Sequence, residues 1–395
     1  MLKVLTILST VLSLVAVYTG VIALFTFKKR VPYAKAAPKT RFLVIIPARN
    51  EESVIANLIA ALRRQDYPKE KFDIVVAANK CTDHTAEASR AAGVSVFECT
   101  GAITCKGDVL HQVIERYLPE KYDAFAFFDA DNLPDSGFLS AMNDALCAGE
   151  RVCKCRLKAG NAFDSWVSGN YGIYHAMMEW VFSRPHAAAG FSSNLVGTGY
   201  VVHREVFERL GGWNTKSMCE DSEFGAICAS IGVRVAWVYE ALSYDEQVTG
   251  SWTSMRQRLR WCSGMVEAAH YRLPALLKRD VPKRGVALDF AMTFILAHTQ
   301  PLATVLMILA LPWYPKWMFL TMGASACLSA IGIMLFSVLM CKLGGYPIKK
   351  MVPAILLSPI FMASWAPLQI LALVTPVKHW SPIAHTGQDD VEKAA

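Results

Sequence analysis

Four stretches of the chain are apolar almost without interruption, and the long interval between the first and the second has a different pattern. Residues 4–27 carry no charge and run into Lys28, Lys29 and Arg30, where a cleavable leader would have small residues. They predict a retained transmembrane helix within residues 1–30. The basic cluster, continued by Lys35, Lys39 and Arg41, places the interval after it in the cytosol and the amino terminus outside. Residues 286–311 and 317–341, joined by a short Pro-Trp-Tyr-Pro link, predict a hairpin over 286–341 that crosses and returns. Lys342, Lys349 and Lys350 mark a cytosolic turn. Residues 351–375 are hydrophobic enough to cross again, yet Pro353, Pro359 and Pro367 interrupt them and Ser358, Ser364 and Gln369 make them polar. That pattern suits an interfacial or re-entrant segment over 342–375. The tail, 376–395, is then cytosolic.

Between Arg41 and Arg272 short apolar runs alternate with helical stretches, the pattern of an α/β sheet. Residues 42–46, 72–78, 94–97 and 124–128 predict strands. Pro47 should stop the first, Asn50 should cap the helix after it with Glu51 and Glu52 in its first turn, and Asp83 should cap another. Pro47-Ala48, Asn79 and Asp129-Ala130-Asp131 then fall at strand ends, where open α/β sheets bind ligands. An Asp-x-Asp pair there puts both carboxylates on one face. Two such hard ligands suit Mg2+ or Mn2+, with the remaining positions left to water and a diphosphate; alone, the same pair is equally a polar turn.

Cys219-Glu220-Asp221 comes after a Gly211-Gly212-Trp213 turn and opens a predicted helix over 222–231. Acids in that place either cap the helix or, facing a pocket, supply a general base. Over 251–270, Trp252, Met255, Leu259, Cys262, Val266 and Ala269 recur at spacings of three and four, predicting an amphipathic interfacial helix within 251–285. Gln257, Arg260 and Trp261 project together from another side of it.

Composition narrows the class. Of 395 residues, 53% are hydrophobic and 18% charged, which argues against a disordered, fibrous or purely water-soluble chain. The net charge of +7 sits largely beside apolar segments and reads as membrane orientation, and no motif points to nucleic acid. Eleven cysteines are scattered, with no second half at zinc-ligand spacing for Cys99 and Cys105 or for Cys153 and Cys155. Reduced thiols in a cytosolic domain fit that count.

The ordered set Ile-Pro-Ala-Arg-Asn-Glu-Glu (46–52), Asn-Lys-Cys-Thr-Asp-His-Thr-Ala (79–86), Asp-Ala-Asp (129–131), Gly-Thr-Gly-Tyr (197–200), Cys-Glu-Asp (219–221) and Gln-Arg-Leu-Arg-Trp (257–261) resembles the membrane-embedded family 2 glycosyltransferases. These include cellulose, chitin, hyaluronan and poly-N-acetylglucosamine synthases, with ceramide glucosyltransferase as a cousin. The resemblance covers residues 40–275 and implies a GT-A (Rossmann-like) α/β domain over 40–250. It implies that Pro47, Ala48 and Glu51 line the nucleotide site and that Lys106 approaches the donor. Asp129, Ala130 and Asp131 would meet the ribose and the metal, Asp131 most directly. Asp221 would be the base, Gln257 and Arg260 would meet the pyrophosphate, and Trp261 would stack near the acceptor. The family's first aspartate aligns with Asn79, which can accept from a uracil N–H but carries no charge. The Trp-x-Pro-x-x-His ending resembles a gating loop, with Trp380 over the nucleotide and His385 at phosphate or metal.

The implied activity is inverting, metal-dependent transfer from a UDP-sugar to a growing polysaccharide, or alternatively of one sugar to a ceramide- or polyprenyl-type lipid. A non-catalytic sugar-nucleotide-binding membrane protein is a third reading. A polymer product would call for further copies of the chain or a secretion partner, because so few spans make a poor channel. The expected location is the plasma (bacterial inner) membrane, with the catalytic domain cytosolic.

Overall fold

The structure is a computed structural model describing residues 2–313, 315–375 and 377. Trp380 and His385 lie outside the described residues.

The uncharged N-terminal run forms α1 (Leu2–Ala23), which tightens into a 3-10 turn, Leu24–Phe27. An alternating unit comes next: β1 (Phe42–Ala48), α2 (Ile55–Arg63), β2 (Phe72–Ala78), α3 (Thr85–Ala91), β3 (Ser95–Glu98), α4 (Lys106–Tyr117) and β4 (Ala124–Phe127). The first five residues of β1 and all of β4 are buried, as apolar strands covered on both faces must be. β1 runs through Pro47, contrary to the expected stop at Ile46. Its pairing with β4 ends at Ile45, whose carbonyl accepts from the Phe128 amide. Pro47, two residues on, faces that same vacated side, so its missing N–H breaks no ladder bond. Asn50 does not cap α2, which begins only at Ile55. Asn50 instead takes a left-handed conformation (φ 61°), and its side chain accepts from the Thr82 amide at 2.8 Å.

The second half contributes β5 (Asn132–Pro134), α5 (Phe138–Cys147), β6 (Val152–Ala159), α6 (Trp166–Met177), α7 (Arg184–Ala189), β7 (Tyr200–His203), α8 (Arg204–Leu210), α9 (Glu220–Ser230) and β8 (Val235–Asp245). A π-helical turn, Met178–Ser183, joins α6 to α7. The eight strands form one sheet in the order β3-β2-β1-β4-β7-β6-β8-β5, with β7 antiparallel to both neighbours and β5 antiparallel to β8. The period of two separates two cores: Val44, Phe128 and Leu58 pack on one face, and Ile45, Phe127, Trp213 and Phe224 on the other. The last two rings stack at 4.2 Å, and Trp213 also packs on Phe127 of β4 and Tyr200 of β7, which fixes α9 against the middle of the sheet.

The chain closes with α10 (Ser251–Leu276), α11 (Arg284–Ala310), α12 (Lys316–Gly344), α13 (Ile348–Ala363) and α14 (Trp365–Val374). Among the described residues, four segments are long and apolar enough to cross a membrane: Thr6–Phe27, Arg284–Trp313, Trp317–Gly344 and Ile348–Val374. Of the apolar stripe on α10 only Ala269 is buried, and the side packed against protein is mostly small and polar. Ser254, Arg258, Ser263, Gly264 and Ala268 are buried, while Trp252 is 66% exposed. Small residues lie inward because α10 is wedged between α9 and α14. A Cβ on Gly264 would stand 2.6 Å from the Cys219 sulfur and 2.8 Å from its backbone nitrogen.

Candidate active site

A cavity of about 580 Å³ opens at the carboxyl ends of β1, β2 and β4, where Pro47, Ala48, Asn79 and Asp129-Ala130-Asp131 converge. Its nucleotide-side loops are tied together. Besides the Asn50–Thr82 contact, the Glu51 amide donates to Thr85 Oγ1 at 2.8 Å, and Glu51 itself is buried in the cavity wall. Asp83 lies one residue before the N-cap of α3, which is His84 and not Asp83 as expected, and its carboxylate accepts from the Thr85 amide at 3.1 Å. Asn79 Oδ1 is buried with no hydrogen-bond partner among the described residues. It leaves an acceptor in the wall for a ligand N–H to meet.

Lys106, in the first turn of α4, pairs with Asp129 and lies 3.4 Å from Glu220. Burial works against its charge, but Asp129 and Glu220 outweigh that and hold the ammonium above its usual range. Gly107 is what lets α4 come this close, since a Cβ there would meet Thr215 Oγ1 at 2.5 Å. Thr198 Oγ1 accepts from the Asp129 amide at 2.9 Å and donates to Asn132 Oδ1 at 2.6 Å. The Asn132 amide in turn donates to Asp131 at 3.1 Å and to Asp245 at 2.8 Å.

Asp245, at the end of β8, was not foreseen from the sequence. It lies 114 residues from Asp131, and only the antiparallel pairing of β5 with β8 brings them together. Burial first, then Asp131 and Asp129, raise its carboxyl well above the usual range. Glu220 is raised as well, by burial and by Asp221 and Asp129 against the pull of Lys106. Among the described residues no three His, Cys, Asp or Glu side chains form a closed metal set. Two adjacent carboxylates on an open cavity, with a third driven toward its neutral form by burial and then by their charge, fit a divalent cation shared with a diphosphate.

Asp221 enters the cavity from the first turn of α9, accepting from the Gly197 amide and, at 2.6 Å, from the Ser222 amide. Opposite it, α10 presents Gln257, Arg260 and Trp261 to the same space. Gln257 accepts from the Tyr171 hydroxyl at 3.2 Å, and Trp261 stacks on Trp365 with centroids 6.5 Å apart. Thus the structure brings together every expected site residue that it describes. The cavity does not end there. It continues to Thr19 of α1, Phe182, Thr293 and Gln300 of α11, and Gln369 of α14.

The sequence profile of the family described as "Glycosyltransferase like family 2" matches residues 38–264. The probable glycosyltransferase YdaM of Bacillus subtilis (strain 168) is 25% identical over 263 residues, 60% of this chain and 59% of that protein. The beta-monoglucosyldiacylglycerol synthase of Nostoc sp. (strain PCC 7120 / SAG 25.82 / UTEX 2576) is 25% identical over 306 residues, 73% of this chain and 63% of that protein. The chain thus spans about 60% of the length of these relatives. Among solved structures, the mannosyltransferase PcManGT from Pyrobaculum calidifontis, in complex with GDP-Man and Mn2+, superposes with a TM-score of 0.65 at 18% identity. The match covers 91% of this chain and 99% of that one, a likeness of fold. The mixed sheet with its flanking helices is the GT-A fold, and the chain belongs to glycosyltransferase family 2.

Proposed function

We propose that the protein is an inverting glycosyltransferase that moves one sugar from a UDP-sugar to a lipid acceptor at the membrane surface. One observation carries the choice of acceptor over a growing polysaccharide: a single cavity joins the strand-end carboxylates to side chains of the membrane-span helices α1 and α11 and of α14. A lipid headgroup can reach the base through it while its chains stay in the bilayer. The name of the Nostoc relative, a glucosyldiacylglycerol synthase, supports the same reading.

In this reading Pro47, Ala48, Glu51 and Asn79 hold the nucleotide, and Asn79 Oδ1 accepts from a uracil N–H. Asp129 and Asp131 would hold Mg2+ or Mn2+, which when bound supplies charge neutralisation at the diphosphate; the Mn2+ and GDP-Man held by the mannosyltransferase support that class of ligand. Arg260 and Gln257 donate to the departing diphosphate, and Lys106 adds charge beside Asp129. Asp221 takes the proton of the acceptor hydroxyl as its oxygen attacks the anomeric carbon. The bond to the diphosphate breaks on the opposite face, so a single displacement inverts the centre.

We further propose that the catalytic domain is cytosolic in the plasma (bacterial inner) membrane, and that Ile348–Val374 returns to the side from which it starts. The purified protein, incubated in lipid nanodiscs with labelled UDP-glucose, UDP-galactose or UDP-N-acetylglucosamine and Mn2+, should put label into the organic phase. Label found only in polymer would favour the polysaccharide reading.

A further inference from the structure

A second concentration of charge lies outside the cavity. Arg30 and Arg156 stand over the ring of Tyr239, at 4.4 and 4.2 Å from its centroid. Arg156 lies 3.9 Å from Glu179, and the charges of Lys158 and Arg184 are felt at that same carboxyl. Arg184 rests on the ring of Trp180 at 4.3 Å and Lys158 on that of Tyr346 at 6.0 Å, and neither forms an ion pair among the described residues. None of the four cations lines the cavity described above. Their countercharge is short. Glu240 is taken by Arg30, and burial pushes Glu179 up to about 7, so near neutral pH it is only partly ionised. Burial and then Arg156 hold the Lys158 ammonium below its usual range by more than Glu179 restores. Three donors of the same cluster, Arg156 Nε, Arg184 Nε and Trp180 Nε1, are buried with no hydrogen-bond partner among the described residues.

The cluster sits where three apolar helices end. Arg30 comes just after Thr6–Phe27, and Tyr346 lies in the link between Trp317–Gly344 and Ile348–Val374, all long and apolar enough to cross a membrane. The ends of such helices stand at the level of the lipid headgroups, where Lys and Arg meet phosphates and Trp and Tyr rings settle. We propose that Arg30, Arg156, Lys158 and Arg184, with Trp180 and Tyr239 beside them, form a site for the phosphate of an anionic phospholipid, separate from the donor and acceptor cavity. A guanidinium presents forked donors to phosphate oxygens, and the single charge of a phosphodiester supplies the countercharge that the protein leaves short. A zwitterionic lipid brings its own ammonium group, which these cations repel, so the site selects phosphatidylglycerol over phosphatidylcholine. It does so whichever acceptor the enzyme glycosylates.

The test uses the full chain in nanodiscs made of equal parts phosphatidylglycerol and phosphatidylcholine, with native mass spectrometry to read which lipid stays bound. Phosphatidylglycerol should be retained over phosphatidylcholine by about tenfold. Lys158→Gln/Arg184→Gln, which removes the two cations that no ion pair holds, should bring the two lipids to equal retention while UDP affinity is kept. Lys158→Gln alone, a milder change, should at least halve the preference. Lys29→Gln/Lys349→Gln removes two exposed cations beside the same helices and should leave the preference intact. Equal retention of the two lipids by the parent overturns the site, as does a preference that survives in both Lys158 variants. A loss as large in Lys29→Gln/Lys349→Gln also overturns it, because the preference would then be the diffuse attraction of basic flanks.

Discussion

At the scale of single residues, Asp221 and the Asp129–Asp131 pair separate two kinds of loss. Asp221 is held by two backbone amides and faces the space where the acceptor oxygen would stand, so Asp221→Asn removes a proton acceptor and keeps the side-chain shape. Transfer should fall by about 10²–10⁴-fold with UDP affinity within a few-fold of the parent, measured by product formation and calorimetry. A matching fall in UDP affinity would make Asp221 a donor ligand. Chelation probes the other pair. With excess EDTA the two carboxylates would face a diphosphate with no cation between them, and activity should vanish and return on adding Mn2+; undiminished turnover in EDTA would rule out a metal there. Glu179 is a stability test away from the chemistry. Burial raises its carboxyl to about 7, against Arg156, Lys158 and Arg184, from a usual 4.5. The folded chain therefore binds that proton more tightly than the unfolded one, and stability is lost as pH rises from about 4.5 to 7. Glu179→Gln should melt a few degrees higher than the parent at pH 8 and at the same temperature near pH 4.

Elements divide into those the sequence announces and those it hides. β1, β4 and, apart from Asp73, β2 are apolar runs between turn residues, so their ends, and with them Pro47, Asn79 and Asp129-Ala130-Asp131, could be placed from pattern alone. Asn50 could not, because a left-handed residue bonded to Thr82 has the same composition as a helix cap. Asp245 could not either, since nothing local marks the end of β8 as the neighbour of β5. On α10 the spacing marks an apolar side but not what packs against the protein: Gly264 and Ser263 face protein, and spacing counts apolar residues without seeing how near a neighbouring backbone comes. The α13–α14 pair shows what packing adds. Tyr346, before α13, accepts from the Ala159 amide of β6 at 3.1 Å, and past α14 the Val377 amide donates to Ser263 of α10 at 2.8 Å. Between them Arg258 reaches the Phe361 carbonyl and Ser364 Oγ. Both ends of the pair thus lie against the catalytic half, which supports a return in place of a crossing. Single cysteines at Lys349 and Thr375, in a background without accessible thiols, should both resist an impermeant maleimide in sealed cells and react after permeabilisation. Labelling of Thr375→Cys in intact cells would establish a crossing.

At the scale of the whole molecule, one set of contacts ties the GT-A domain to two of the helices long and apolar enough to cross a membrane. Tyr18 of α1 donates to Asp289 of α11 at 2.6 Å, and His186 of α7 lies 3.4 Å from the same carboxylate, so α1, α11 and the catalytic domain share one junction. The one cavity is accordingly lined both by the strand-end loops and by side chains of these two helices, and in the proposed lipid transfer it serves a solute and a molecule confined to a leaflet. Under that proposal the two substrates obey different laws of supply. Donor saturation tracks molarity, whereas acceptor saturation tracks mole fraction in the plane of the membrane. Diluting dioleoylglycerol with inert phospholipid at constant total amount should slow the enzyme in proportion, while diluting the whole vesicle suspension at fixed donor concentration should leave turnover per enzyme unchanged; dependence on bulk acceptor concentration alone would contradict it. With a lipid acceptor as proposed, the protein would work as a two-dimensional enzyme with a three-dimensional co-substrate, its rate set by the lipid composition of one leaflet as much as by the sugar-nucleotide pool.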